Sequence, residues 1–463
     1  MSLKENGPNK SLQILVAGGG MAGLFSAILL SRQGHKVEVR DSRPDLRGPE
    51  SYSGRSVNFT LSLRGKEMLK RAGLLDQVLR HAVPLRGRML HLSSGRMKFQ
   101  PYGNRSDQVL HAVRRVDLHR ELLGAAERQP GVRVLFGQEL IDLNIESNEA
   151  FFTESTKQKD SVPSIDPPSS TGFDFFIGAD GAFSKSQELL VRGTSHKSSR
   201  DKSDWCYKEF EVGALAGGHC ALDSSCLHLW SRGDSLMCAI PNQDGTFVAN
   251  LILPRSTLNS LTTTSEVTEF LSERFPDLFK LTPGLENLLL GLKTSDIVTT
   301  MVSQWHFGGK ALLIGDACHA ISPFLGQGMN AALEDAWVLS QSLLDSHLSD
   351  AISKFQEIRK PDTDALAELS RQHLAQLSTH LGSWWQISRN KAELFLNHWF
   401  PRYWRPIYSL VAHSTIPYAV ALRDSRSVKK SLTTGILWIV QLLYFSVEAF
   451  KFEKNPELKE QKT

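Results

Sequence analysis

Two glycine-rich motifs far apart in the chain hold the residues best suited to chemistry. They are Gly18-Gly19-Gly20-Met21-Ala22-Gly23 near the start, and Gly315-Asp316 followed by Gly326-Gln327-Gly328-Met329-Asn330 downstream. In the first, Gly18 permits a tight turn, Gly20 lets a pyrophosphate approach the backbone, and Gly23 lets a helix and a strand pack closely. A helix beginning there offers amide donors and a partial positive charge to phosphates. Asp41, within Arg40-Asp41-Ser42-Arg43, follows at the distance where an acid binds ribose hydroxyls. The plainer reading of Asp41 is a solvated charge at a strand end. In the second motif a buried strand runs into Asp316, whose carboxylate can bond the hydroxyls of a ribityl chain. The helix that starts near Gly328 can stabilise the negative charge that develops on a flavin's N1/O2 edge on reduction. A capping aspartate in an ordinary strand-turn-helix is the alternative, but a nicotinamide dehydrogenase needs no such second site. His319 reads as a structural partner rather than a base. Together the motifs read as one FAD molecule stretched across a domain.

These residues need a frame, and the pattern supplies one. Residues 13–17 form a short apolar strand, 21–33 a helix closed by Gly34, and 36–40 a second strand, a strand-helix-strand unit. Apolar spacing predicts a helix over 118–128 and a strand over 132–136. Residues 154–171, rich in Ser, Pro, Lys and Asp, read as a surface loop without function. A buried strand over 173–178 leads into Asp180-Gly181. Short alternating segments at 207–212, 226–230, 236–241 and 246–253 predict an antiparallel sheet inserted between pieces of the first domain. A strand returns at 311–314, a helix at 329–344, and 352–412 is helical and rich in aromatic residues.

The fold class that follows is α/β: a Rossmann-like FAD-binding domain, an inserted antiparallel-sheet substrate domain and a C-terminal helical region. The expected division is 11–86, 111–190 and 301–350 for the FAD-binding domain, 87–110 and 191–300 for the substrate domain, and 351–428 for the helical region. The expected role of residues 429–454 is a membrane anchor.

Bulk properties exclude other classes. The 463 residues carry 53 basic and 49 acidic side chains, a formal +4, which makes no case for nucleic acid. Five cysteines without CxxC spacing (Cys206, Cys220, Cys226, Cys238, Cys318) read as free thiols, not a disulfide framework, and no metal site is expected. The glycines inside 12–30 argue against a signal peptide. Residues 431–450 are largely apolar with a single charge, Glu448, and are flanked by Lys429, Lys430, Lys451 and Lys454. That length suffices to cross a bilayer; Thr433, Thr434, Gln441 and Glu448 leave open a buried or surface-lying helix.

The order of Gly18-to-Gly23, Asp180-Gly181 and Gly315-Asp316 resembles the class A flavoprotein monooxygenases, and most closely the kynurenine 3-monooxygenase family. The shared stretches are Gly54-Arg55-Ser56-Val57-Asn58-Phe59-Thr60-Leu61-Ser62-Leu63-Arg64-Gly65, Arg86-Gly87-Arg88, Pro101-Tyr102-Gly103, Tyr207-Lys208-Glu209-Phe210, Leu227-His228-Leu229-Trp230 and residues 319–330. The resemblance implies FAD contacts from Gly18, Gly20, Ala22, Gly23, Arg40, Asp41, Ser42, Arg43, Thr60, Arg115, Leu140, Asp180, Asp316, Gly328, Met329 and Asn330. It implies that Arg88 and Tyr102 hold a substrate carboxylate, that Tyr408 closes the pocket and that Phe324 packs near the ring. A guanidinium grips a carboxylate with two hydrogen bonds, and phenols add donors. On residue type alone Arg88 reads as a surface arginine and Tyr102 as a turn aromatic.

The activity implied is hydroxylation of L-kynurenine to 3-hydroxykynurenine in tryptophan degradation. NADPH reduces the flavin, and O2 adds at C4a to give an electrophilic hydroperoxide; no side chain acts as a covalent nucleophile. A tail of this type fixes the animal enzyme to the mitochondrial outer membrane, facing the cytosol; without insertion the protein is cytoplasmic. The chain departs from the family at three points. His373 stands where the family has an asparagine, Gln376 where it has a glutamate, and Gln187 where an arginine is usual. These motivate two rival readings: the same chemistry on another aromatic acid, and a membrane-tethered FAD-binding protein without turnover.

Overall fold

The computed structural model describes residues 11–48, 58–103, 105, 107–155, 168–379, 393, 399 and 406–426. The segment 431–450 and most of residues 380–405, within the stretch expected to be helical, therefore lie outside the described residues.

The apolar strand Gln13–Ala17 is buried from Ile14 onward and sits inside a six-stranded sheet. Its neighbours are Lys36–Asp41 on one side and Phe175–Gly178 on the other, both parallel to it. Val132–Phe136 extends the sheet beyond Lys36–Asp41; Ala311–Leu313 and the short antiparallel His306–Phe307 extend the other edge. The chain thus builds outward from Gln13–Ala17 in one direction first and in the other later. At such a reversal point the loops leaving the carboxyl ends of adjacent strands diverge and leave a crevice, where nucleotides bind. Gly18 occupies that point: its N–H donates to the Arg40 carbonyl (2.7 Å), and Ala179 N–H donates to the Ala17 carbonyl (2.7 Å).

The helix Met21–Arg32 is buried on nearly its whole surface, from Ala22 to Leu30. Its residues are accordingly apolar all round. One side joins the sheet core with Val16, Phe176 and Leu313; the other joins a cluster with Leu122, Met329 and Leu333. The second cluster contains the start of the helix Gly328–Asp345. The two glycine motifs are thereby pressed together although they are distant in sequence.

A seven-stranded sheet forms the second layer, in the order Ser295–Val302, Ser198–Val212, Phe247–Pro254, Leu236–Pro241, Cys226–Ser231, Gly87–His91, Met97–Pro101. The early hairpin Gly87–Pro101 joins it in parallel register with Cys226–Ser231, placing Arg88 beside Leu227. Side chains alternate across this sheet with a period of two. Cys206, Phe210, Trp230 and Phe247 pack under the helices of 255–291. Leu90, Leu229 and Leu236 cluster with Leu374 and Leu377 of the long helix Leu348–Thr379, and Phe324 packs against the same cluster.

Two local readings change. Ser169–Gly172, expected to be loop, is a strand paired with the strand Glu149–Glu154. Its hydroxyls receive Arg40: Nη1 donates to Ser169 Oγ (3.2 Å) and Nη2 to Thr171 Oγ1. Backbone pairing to a neighbour outweighs the low strand preference of serine and glycine. Ser198–Val212 is also longer than its apolar pattern, because Arg200, Asp201 and Lys202 pair along Ser295–Val302.

Candidate active site

The phosphate cradle comes first. Gly18 has φ +106°, and a Cβ there would run into the Ala179 carbonyl. A Cβ on Gly23 would strike the Gly18 carbonyl. Around Gly20, by contrast, a Cβ would meet nothing within 4 Å, so the backbone there faces open space. Gly20 caps the helix Met21–Arg32 without a side-chain hydrogen bond, which leaves the first-turn amides for an anion.

Asp41 stands beside this cradle. Its Oδ2 accepts from Gly19 N–H (2.7 Å), and Arg43 binds both oxygens through its side chain and its backbone N–H. Burial alone would raise the carboxyl's pKa; the Arg43 guanidinium and the backbone donors hold it below the usual range. Asp41 is thus ionised, and Gly19 and Arg43 already supply two donors to each of its oxygens, so ribose hydroxyls would reach it by displacing the Arg43 side chain. Ser42 lies next to it, half-buried, and Leu140 lines the adjoining strand Gln138–Asn144. Asp180 serves its own loop: it accepts from Ser184 Oγ and from Ser186 N–H (2.8 Å), and Ser184 caps the helix Lys185–Val191. Gln187 accepts from Arg200 (3.1 Å).

Asp316 is the most telling residue of the second motif. It is solvent-exposed at the residue level, yet enough protein surrounds it that desolvation raises its carboxyl pKa. Those two facts fit together for a side chain on the wall of a deep cleft, where water reaches it from one side. His319 and Arg115 act on it in the opposite sense. Asn330 is committed to the turn: its Nδ2 donates to the carbonyls of Thr60 (2.9 Å) and Gly326 (3.0 Å), and Ser62 N–H donates to its Oδ1 (3.0 Å). Gly326, at φ +63°, lies against Thr60. Met329 is buried in the helix–helix cluster. An open cradle at Gly20, an ionised acceptor at Asp41 and an accessible acid at Asp316 fit the two ends and middle of FAD.

Arg88, Tyr102 and Tyr408 come together from a strand, a loop and the short helix Ile407–Ala412. The Arg88 guanidinium lies 4.4 Å from the Tyr408 ring centre and 5.7 Å from that of Tyr102, and the two rings stack at 5.5 Å. Among the described residues Arg88 makes no ion pair. The Tyr102 hydroxyl is buried close to Arg88 and the Tyr408 hydroxyl but makes no hydrogen bond of normal geometry among the described residues, and burial raises its phenol pKa well above the ordinary value. His373 extends the group, its ring 6.1 Å from that of Tyr408. Phe324 sits nearby with Leu227, Leu229 and Leu374.

The sequence reading missed the residues that hold the second motif in place. His319 Nε2 meets Asp335 at 2.5 Å, and Gly315 N–H donates to the same Asp335 oxygen (3.1 Å). Arg359 binds Asp335 (2.8 Å), Glu334 (2.6 Å) and Asp362 (3.0 Å). Burial would raise the Asp335 pKa, but His319 and Arg359 hold it at about 2. The available signal was the acidic pair Glu334-Asp335 set between the apolar runs Ala331–Leu333 and Ala336–Leu339 of one helix.

A family model described as FAD binding domain matches residues 11–355. A kynurenine 3-monooxygenase of Salinispora arenicola is 35% identical over 418 residues, covering 89% of this chain and 90% of that protein. The Sus scrofa kynurenine 3-monooxygenase is 32% identical, covering 94% and 90%. Among solved structures, 2-methyl-3-hydroxypyridine-5-carboxylic acid oxygenase superposes with a TM-score of 0.66 at 22% identity, covering 83% of this chain and 96% of that one. That likeness shows the fold.

Proposed function

The chain belongs to the kynurenine 3-monooxygenase family of FAD-dependent aromatic hydroxylases, and from this premise we propose that it converts L-kynurenine to 3-hydroxykynurenine, with NADPH and O2 as co-substrates. One observation carries the substrate reading: Arg88 is a guanidinium without an acid partner among the described residues, set against two tyrosine rings. An unpaired arginine in such a place matches a ligand carboxylate, which it can grip bidentately. Tyr102 would donate its unpartnered hydroxyl to the same carboxylate, Tyr408 would close the pocket, and Phe324 would pack against the aromatic ring.

When bound, FAD supplies the redox chemistry, taking electrons from NADPH and passing one oxygen atom of O2 to the substrate ring. The protein's own contribution is placement. The Gly18–Gly23 turn and Asp41 hold the dinucleotide end, with Ala22, Arg40, Ser42, Arg43, Thr60, Arg115, Leu140 and Asp180 around it. Asp316 and the Gly328–Asn330 helix start face the ring end. Fixing the substrate ring within reach, with water excluded by Phe324 and Leu374, is how a site without a covalent nucleophile accelerates such a transfer. We assign the sheet of 87–110 and 191–300 to the substrate and the six-stranded sheet to the nucleotide. The lysine-flanked segment 431–450 supports attachment to a membrane, by resemblance the cytosolic face of the mitochondrial outer membrane. Among the described residues no helix is long and apolar enough to cross one.

His373 beside Tyr408 favours a second reading, the same chemistry on an aromatic acid with a different amino-acid end. One experiment separates the two: mass spectrometry of products after incubation with L-kynurenine, NADPH and air. A product heavier by one oxygen supports the proposal. NADPH oxidation stimulated by another aniline or phenol, with kynurenine untouched, would overturn it in favour of the second.

A further inference from the structure

Gln327 lies between the two glycines of the second motif and is almost fully buried, at 2% exposure. Its Oε1 sits 3.0 Å from the Tyr418 hydroxyl and 3.2 Å from the Ser62 hydroxyl, both of which donate to it. An amide oxygen has two lone pairs, so this one is saturated. The amide NH2 makes no hydrogen bond among the described residues, and it is not sealed from solvent. Gln327 therefore presents a fixed, uncommitted donor from the Gly326–Gly328 turn.

Tyr418 is held as firmly as the residue it holds. The Arg64 guanidinium lies 3.9 Å above its ring, and Arg64 also bonds Glu334 and the Ile416 carbonyl. Ala419 N–H donates to Asp362 (2.9 Å), which Arg359 ties to Glu334 and Asp335. The segment 416–419, far beyond both glycine motifs in sequence, is thus wired to the two turns of the downstream motif, at Gly315 and at Gln327.

We propose that Tyr418 is a positioning residue for the bound flavin: its hydroxyl, with that of Ser62, orients the Gln327 amide so that the NH2 donor faces the cofactor. This rests on FAD occupying the cleft but not on the identity of the aromatic substrate.

The test uses the FAD-loaded full chain and Tyr418→Phe, which keeps the ring under Arg64. The flavin content should stay at one per chain. The absorption band of the oxidised flavin should shift, and product formed per NADPH consumed should fall roughly fivefold, about what one neutral hydrogen bond is worth. Gln327→Leu should reproduce both changes, and the double variant should add nothing to either. Ser62→Ala, which leaves Tyr418 untouched, should give a partial shift and serves if Tyr418→Phe fails to fold. An unshifted band with unchanged coupling in Tyr418→Phe, or additive effects in the double variant, would overturn the proposal. The spectral shift is read without substrate, so a failure to hydroxylate kynurenine leaves this result standing.

Discussion

Two arginines organise the C-terminal half of the cleft in opposite ways. Arg359 meets three carboxylates and is nearly inaccessible, with side-chain exposure of 3%. Arg64 and His319 share those acids, so three basic groups face Glu334, Asp335 and Asp362. Arg88 lies against a stacked pair of tyrosine rings and meets no acid among the described residues. A buried charge needs a partner. Where the protein supplies it, the group is architecture; where it does not, a ligand is the natural source. Polar satisfaction thus separates framework from recognition better than residue type does.

That contrast can be broken first at Arg359. Arg359→Met leaves two buried carboxylates and a half-buried one short of a cation and should cost about 3–5 kcal/mol in urea unfolding. A loss under 1 kcal/mol would mean that the network is not structural. Arg88→Ala should do the reverse. Unfolding stability and FAD content should hold, while KM for the substrate rises by a factor corresponding to roughly 2–4 kcal/mol. Loss of the yellow cofactor instead would place Arg88 in the framework.

His319 gives a smaller, pH-dependent effect. Burial lowers its pKa, but Asp335 more than reverses this, so the folded-state value is raised above 6.5. Its stabilisation is therefore complete below pH 6.5 and is lost as pH rises through the raised value. Melting temperatures measured from pH 5 to 9 should decline over that window, and His319→Gln should flatten the decline. Tyr102→Phe sharpens the comparison most finely. Removing a buried hydroxyl that has no partner should leave stability unchanged or raise it by up to ~1 kcal/mol, while substrate binding weakens a few-fold. A stability loss above that would give the hydroxyl a structural partner in solution.

Much of this was legible early. Glycines with no tolerance for a Cβ, such as Gly18 and Gly23, announce themselves because only one residue type fits. The strand Gln13–Ala17 and the helix Met21–Arg32 follow from apolar spacing, since burial on both sides leaves no choice of pattern. The strand Ser169–Gly172 was not legible, because its pairing partner supplies its conformation. Asp335 and Arg359 were missed because a charged residue on a helix reads as solvated until another helix covers it. Tyr418 carried no signal at all; its importance comes from the residue across the interface.

What the linear chain determined by itself is local: turn geometry, element type and the chemical menu at two glycine motifs. Those properties depend on backbone sterics and on residues within a few positions of one another. Which charges are neutralised, which hydroxyls find acceptors and which donor is left over were decided only by the tertiary structure. Burial and partnership depend on groups brought together across long stretches of chain, from Ser62 to Gln327 and from Gln327 to Tyr418.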